Sequence, residues 1–364
     1  MKVAVNLTWL APGRVGGSEE YLTRQLLGVD PALVDAELFC DPTFADQHPE
    51  LADRFAVTMM PRWSNRRATR IVLEHTWLAA LTRGVDVVHH GGGTLPMIGP
   101  RTTVLTVHDL QYLRFPEYFS SLRRRYLAAM MPRSARAATV VAVPSEFVRA
   151  DVAAAFDVPA ERIVVVPHGV PEAPRPTDER VRATLDAHGI GDRPYVMYPA
   201  ITHPHKGHVV LVEMLDHLDS DTELVLTGGA GDADAVVMAA IAASPHADRI
   251  HRLGRVSADD RDALLAGADA LVFPSEFEGF GAPLVEAMEV GTPVVCSSPD
   301  ALVEVVGDAG IIVHDRSGEA WAHAVAAARR DHVDLTERGH RRRTAYTVEA
   351  SGRAIEAAYR LAVS

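Results

Sequence analysis

The sequence predicts an α/β protein built from two doubly wound parallel-sheet domains. Three observations carry this: the chain length, β-branched runs recurring between Ala/Leu-rich segments, and one proline-rich interruption of that rhythm near the middle. At 364 residues the chain exceeds one ordinary domain, and about 150 residues per domain gives two. With 48% hydrophobic and 23% charged residues, each half can bury a core of its own.

In the first half the runs are VAVNL (3–7), VDVVHH (85–90), TVLTVHD (103–109), TVVAVPS (139–145) and RIVVVPHG (162–169). Short apolar runs alternating with helical segments predict parallel strands joined by crossover helices. Pro167, Pro171, Pro174 and Pro176 break the pattern, so the interdomain linker is placed at 167–178. The rhythm resumes with YVMYPA (195–200), TELVLTGG (222–229), RIHRLG (249–254), DALVFPS (269–275), TPVVCSS (292–298) and AGIIVH (309–314). The predicted domains are 1–172 and 173–345. The last segment, 346–364, has apolar residues at helical spacing and is expected to pack back on the first domain.

Composition narrows the function. A net charge of -12 argues against a nucleic-acid binder, which needs a basic face to neutralise phosphates. Cys40 and Cys296 are far apart with no second ligand near either, so neither a disulfide framework nor a zinc site is expected. The N-terminus reads as a buried strand rather than a secretion signal, and no run approaches the ~20 apolar residues of a membrane span. A cytoplasmic location follows as the expectation. The segment LRRRYLAAMMPRSAR (122–136), with Arg62, Arg66, Arg67 and Arg70, leaves peripheral contact with an anionic membrane open beside the alternative of a solvated helix face.

The residues with chemistry cluster at strand ends, where ligands of doubly wound sheets bind. In FPSEFEGFGAPLVEAMEVGTPVVCS (273–297), Glu278 and Glu286 flank Gly279, Phe280, Gly281 and Pro283. Glycines permit close backbone approach, and a helix starting near Pro283 offers free amides to a phosphate. Solvated helix-end glutamates are the alternative. In YPAITHPHKGH (198–208), Lys206 is a cation in a loop that follows a strand and opens a helix, where it can balance an anionic ligand, with His205 beside it; a surface lysine after a turn is the alternative. In GRVGGSEEY (13–21), Gly16 and Gly17 could bring amides to a phosphate, with Ser18 as helix N-cap. His108 and Asp109 follow a strand in TVHDL. Thr227, Gly228 and Gly229, and Arg255 and Val256 within LGRVS, stand at two more strand ends. Asp232 and Asp234 form an Asp-x-Asp pair that reads as solvated or capping groups more readily than as metal ligands.

Taken in order, these segments resemble glycosyltransferase family 4, together with PSEFVRADV (144–152) and VVVPHGV (164–170). The resemblance covers about residues 1–345. It implies the GT-B fold, two facing Rossmann-like domains with a deep interdomain cleft, and metal-independent transfer with retention from a nucleoside-diphosphate sugar, which is a substrate; no cofactor is implied. It gives catalytic roles to His108, Lys206 and Glu278. It gives donor contacts to Gly16, Gly17, Asp109, His205, Thr227, Gly228, Gly229, Arg255, Val256, Gly279, Phe280, Gly281 and Glu286. The Pro-His-Lys loop is similar to bacterial mannosyltransferases and favours GDP-mannose, with UDP- and dTDP-sugars as alternatives. A glycan, lipid-linked or small-molecule acceptor would bind the first domain. A sugar-nucleotide epimerase and a non-catalytic nucleotide-sugar-binding subunit are the rival readings. A nicotinamide enzyme is disfavoured because no Gly-x-Gly-x-x-Gly follows the first strand.

Overall fold

Every strand described is parallel to its neighbours, as crossover connections dictate. The computed structural model describes residues 1–10, 17–61, 67–99 and 102–364. The chain divides into a unit of residues 1–171 and 346–364 and a unit of residues 172–345.

The first unit holds β1 (Lys2–Asn6), β2 (Asp35–Cys40), β3 (Ala56–Met59), β4 (Val87–His90), β5 (Thr103–Thr106), β6 (Val140–Val143) and β7 (Ile163–Val165), in the spatial order β3-β2-β1-β4-β5-β6-β7. β4, β5 and β6 are buried along their whole length, the mark of a sheet covered on both faces. β2 and β3 are absent from the sequence expectation. Their segments carry Asp35 and Glu37, and β3 is a half-exposed edge strand, so neither shows an uninterrupted apolar run.

The second unit holds β8 (Tyr195–Pro199), β9 (Glu223–Thr227), β10 (Ile250–Gly254), β11 (Ala270–Phe273), β12 (Val294–Ser297) and β13 (Gly310–Val313), ordered β10-β9-β8-β11-β12-β13. In both sheets the order reverses beside the first strand, between β1 and β4 and between β8 and β11. Loops leaving the carboxyl ends on either side of such a reversal diverge and leave a crevice for ligand.

The C-terminal helix Val348–Val363 belongs to the first unit. Thr347 caps it, accepting from Ala350 N at 3.1 Å, and Ile355, Ala358 and Tyr359 join Val3, Val5 and Leu26 in the core. Tyr359 Oη lies 2.8 Å from His89 Nδ1, while His89 Nε2 lies 2.8 Å from Thr106 Oγ1, so a hydrogen-bonded chain ties this helix to β4 and β5.

Candidate active site

In the second unit, the loops that leave β8 and β11 meet across the reversal point. Tyr198 at the end of β8 is fully buried, and its hydroxyl donates to the Lys206 carbonyl at 2.8 Å and lies 3.1 Å from Ser275 Oγ. Glu276 N donates to the His205 carbonyl at 2.8 Å, which couples the second loop to the first. Gly207 packs so closely that a Cβ there would sit 2.6 Å from the Pro274 carbonyl oxygen, and its φ of +68° is a left-handed conformation suited to glycine. These contacts fix the backbone under Lys206.

Lys206 Nζ then donates to Glu278 Oε1 at 2.5 Å. Neither side chain is fully covered, at 18% and 15% exposure, so both ends of the pair remain reachable by a ligand. His205 lies beneath, with its ring stacked on His203. Burial and the neighbouring ammonium push its imidazole down to about 4. The loop therefore supplies one positive charge at neutral pH, from Lys206, and not a second from His205.

Beyond Glu278, Gly281 takes a left-handed φ of 97° and opens the helix Ala282–Glu289, with Pro283 in its first turn. Glu286 lies one turn in and is 6% exposed, 3.7 Å from Arg261 Nη1. Sequence reading passed over Arg261; it stands in the helix Ala258–Gly267, where no local pattern marks a partner for a distant carboxylate. Thr227 ends β9. Gly228 follows with a φ of +117°, and a Cβ there would meet the Ala200 carbonyl oxygen at 2.3 Å. Arg255 is exposed and lies alongside Gly229, with Val256 half-buried after it. Asp234 accepts from Thr202 Oγ1 at 2.8 Å and from Arg252, while Asp232 is exposed and 3.8 Å from His203 Nδ1. The carboxylate of Asp234 is thus engaged by protein donors.

In the first unit, His108 follows β5, and its Nε2 lies 2.8 Å from the Gly91 carbonyl. A carbonyl can only accept, so Nε2 carries the proton and Nδ1 is left as an acceptor. Burial pushes this imidazole down to about 4, which keeps it neutral. Tyr21 and Trp9 frame the ring at 5.4 Å and 5.7 Å between centroids, and a side chain would collide with Leu22 at Gly91 and with the Trp9 indole at Gly92. The glycine run after β4, Gly91–Gly93, is the signal in the sequence for this close approach, and the sequence reading passed over it. Asp109, beside His108, accepts through Oδ1 from Gln111 N at 2.9 Å. Ser18 lies inside the helix described over Gly17–Leu27 and not at the N-cap position expected. Gly16, Arg62 and Arg66 lie outside the described residues, as does the side chain of Arg67. The basic segment forms the helix Ser121–Ala137. It buries Met131, Ser134 and Ala135 and exposes Leu122 and the three arginines after it.

Two family models match the chain, one over most of each unit. "Glycosyltransferase Family 4" covers residues 15–174 and "Glycosyl transferases group 1" covers residues 182–346. The chain belongs to the GT-B glycosyltransferases. This transferase is 28% identical over 313 residues to O-antigen chain mannosyltransferase B of Escherichia coli, covering 81% of each chain. It is 25% identical to O-antigen chain mannosyltransferase RfbU of Salmonella typhimurium, covering 88% of this chain and 89% of that one. Among solved structures, Anabaena Alr3699/HepE in complex with UDP and glucose matches with a TM-score of 0.77 at 19% identity over 98% of each chain. That likeness places the transferase in the same fold. Among its described residues no helix is long and apolar enough to cross a membrane.

Proposed function

We propose that the transferase moves a hexosyl group from a nucleoside diphosphate to an acceptor hydroxyl with retention, and that GDP-mannose is the favoured donor. The observation that carries this reading is the Lys206–Glu278 pair at the β8/β11 reversal. A diphosphate leaving group needs positive charge where its own charge develops, and a sugar needs a carboxylate to accept from its hydroxyls. Lys206 supplies the first and Glu278 the second. Glu286, one helical turn beyond, is assigned to the ribose, and Thr227, Gly228, Gly229, Arg255 and Val256 to the base and phosphates. Phe280 and Gly281 contribute main-chain amides, as does Gly17 in the first unit.

In the reaction the anomeric carbon–oxygen bond to the phosphate breaks through an oxocarbenium-like state. The acceptor hydroxyl attacks the face from which the diphosphate departs. Its oxygen forms the new bond, and its proton passes to the departing phosphate oxygen, so no enzyme nucleophile is required. Lys206 takes the charge-balancing role that a divalent ion fills elsewhere, and His108 presents Nδ1 to a sugar hydroxyl. The mannosyltransferase names of the two bacterial relatives support mannose as the sugar transferred. The HepE complex with UDP and glucose favours a second reading, a UDP-sugar donor.

Nucleotide choice is read by melting the protein with GDP, UDP and dTDP in turn, since a ligand raises apparent stability by mass action. GDP giving the largest rise supports the proposal. A larger rise with UDP replaces the donor, and no rise with any of the three removes the reading.

A further inference from the structure

A buried polar network lies at the carboxyl edge of the first sheet, where the core alone requires none. Asn6 at the end of β1, Thr8 just beyond it and His90 at the end of β4 are all under 5% exposed. Asn6 Nδ2 is 3.1 Å from His90 Nδ1. The Thr8 hydroxyl is within 2.6 Å of Asn6 Oδ1 and 3.0 Å of Glu74 Oε1, so its single proton is shared between two acceptors. Glu74 is 14% exposed, and Arg70 Nε is 3.9 Å away. A carboxylate offers about four lone-pair sites. Here the Asn6 amide and a shared hydroxyl serve them, and burial raises the carboxyl above its ordinary range in spite of Arg70.

The backbone adds a second observation. The helix that begins at Arg67 switches at Glu74 into a π-helical turn, Glu74–Leu78, before resuming at Ala79. Such turns insert one extra residue, redirect a side chain and recur at functional sites. This one directs Glu74 to Thr8. His75, next along, lies 2.7 Å from the Ile71 carbonyl through Nδ1 and accepts from Met97 N through Nε2 at 2.8 Å, while Leu95 N donates to Ser134 Oγ at 2.9 Å. The segment after β4 is thereby pinned to the residue that follows Glu74 and to the helix Ser121–Ala137.

We propose that Glu74 is an acceptor-binding residue, its carboxylate taking a hydrogen bond from a hydroxyl of a hexose bound at the carboxyl edge of the first sheet. Arg70 already supplies positive charge and His90 is held neutral by burial, so the surroundings suit a neutral donor better than an amine or a metal ion. A hydroxyl donates to Glu74 and accepts from a neighbouring N–H with the same oxygen. The assignment rests on the transferase reading and names the residue that grips its acceptor.

The test uses methyl α-D-mannopyranoside, methyl α-D-glucopyranoside and methyl α-D-galactopyranoside as acceptors, with the donor chosen by the nucleotide melts. Glu74→Gln keeps the shape of the side chain and removes its charge. It is expected to raise the acceptor KM at least tenfold, with the donor KM and the nucleoside-diphosphate Kd unchanged within twofold. Thr8→Val, which removes the hydroxyl that holds the carboxylate, is expected to move the acceptor KM the same way by less, and it carries the comparison if the Gln variant fails to fold. An unchanged acceptor KM in both variants overturns the proposal. So does an equal rise in acceptor and donor KM, or a wild-type protein that binds and hydrolyses donor yet accepts none of the three glycosides. Absence of nucleotide binding fails the transferase reading instead, and this assignment with it.

Discussion

Lys206 Nζ and Glu278 Oε1 lie 2.5 Å apart, joining two loops that are 72 residues apart in sequence. The pair means that the cation assigned to the diphosphate is held by the carboxylate assigned to the sugar. A nucleoside diphosphate without its sugar must therefore compete with Glu278 for Lys206. Glu278→Gln is expected to bind GDP more tightly, by up to about tenfold, the scale of a partly exposed ion pair. Sugar transfer is expected to fall about 10²-fold because the contact to the sugar hydroxyls is weakened. Calorimetric titration and a nucleotide-release assay read the two quantities, which move in opposite senses.

Gly207 bears on the same site through backbone geometry. Its left-handed φ and the 2.6 Å approach to the Pro274 carbonyl leave no room for a side chain. Gly207→Ala is expected to destabilise the fold by about 1–3 kcal/mol, since the strain cannot be relieved without moving the Lys206 loop. Urea unfolding gives the stability, and a loss of activity larger than any loss of folded protein reports the displaced lysine.

Glu286 is buried and assigned to the ribose, a part of the donor that does not change during transfer. Losing a contact made equally in ground and transition states raises KM and spares kcat. Glu286→Gln is expected to raise the donor KM roughly 10- to 100-fold, the range for a hydrogen bond to a charged group, with kcat within about twofold. Steady-state kinetics at varied donor concentration checks this.

Acid should weaken the fold through histidines buried in the neutral form. Burial pushes His90, His108, His205 and His208 down to about 4 and His89 to about 3, against about 6.5 in the unfolded chain. Between those values the unfolded state binds more protons, so stability is full above pH ~6.5 and falls as pH drops towards 4. Thermal melts from pH 8 to 5 should show a flat Tm above pH 7 and a decline below 6.5. His89→Gln, which loses its links to Tyr359 and Thr106, should start lower and decline less steeply. A Tm that rises on acidification across this window contradicts the account.

The doubly wound sheets were legible because strands such as β6 in the first unit and β11 in the second are continuous apolar runs buried along their whole length. β2 and β3 were not, since Glu37 sits within β2 and finds its partner only across the ladder, where its carboxylate accepts from Thr58 Oγ1 at 2.6 Å. Lys206, Glu278 and His108 were each visible at strand ends. Their contacts were not, because the Lys206–Glu278 pair and the bond from His108 to Gly91 depend on which strands lie side by side. Glu74 had no local signal at all. Its importance comes from a π-helical turn and from Thr8, 66 residues away, and neither is written in the helical pattern around it.

The central claim is that a lysine balances the charge of the departing diphosphate, and Lys206→Ala tests it most directly when nucleotide release from the donor and GDP affinity are measured side by side in EDTA. Wild-type turnover is predicted to be unaffected by the chelator, with Lys206→Ala slowing it about 10²- to 10³-fold and weakening GDP by less than about tenfold. Equal losses of turnover and GDP affinity in the variant, or wild-type activity abolished by EDTA and restored by manganese, would contradict it.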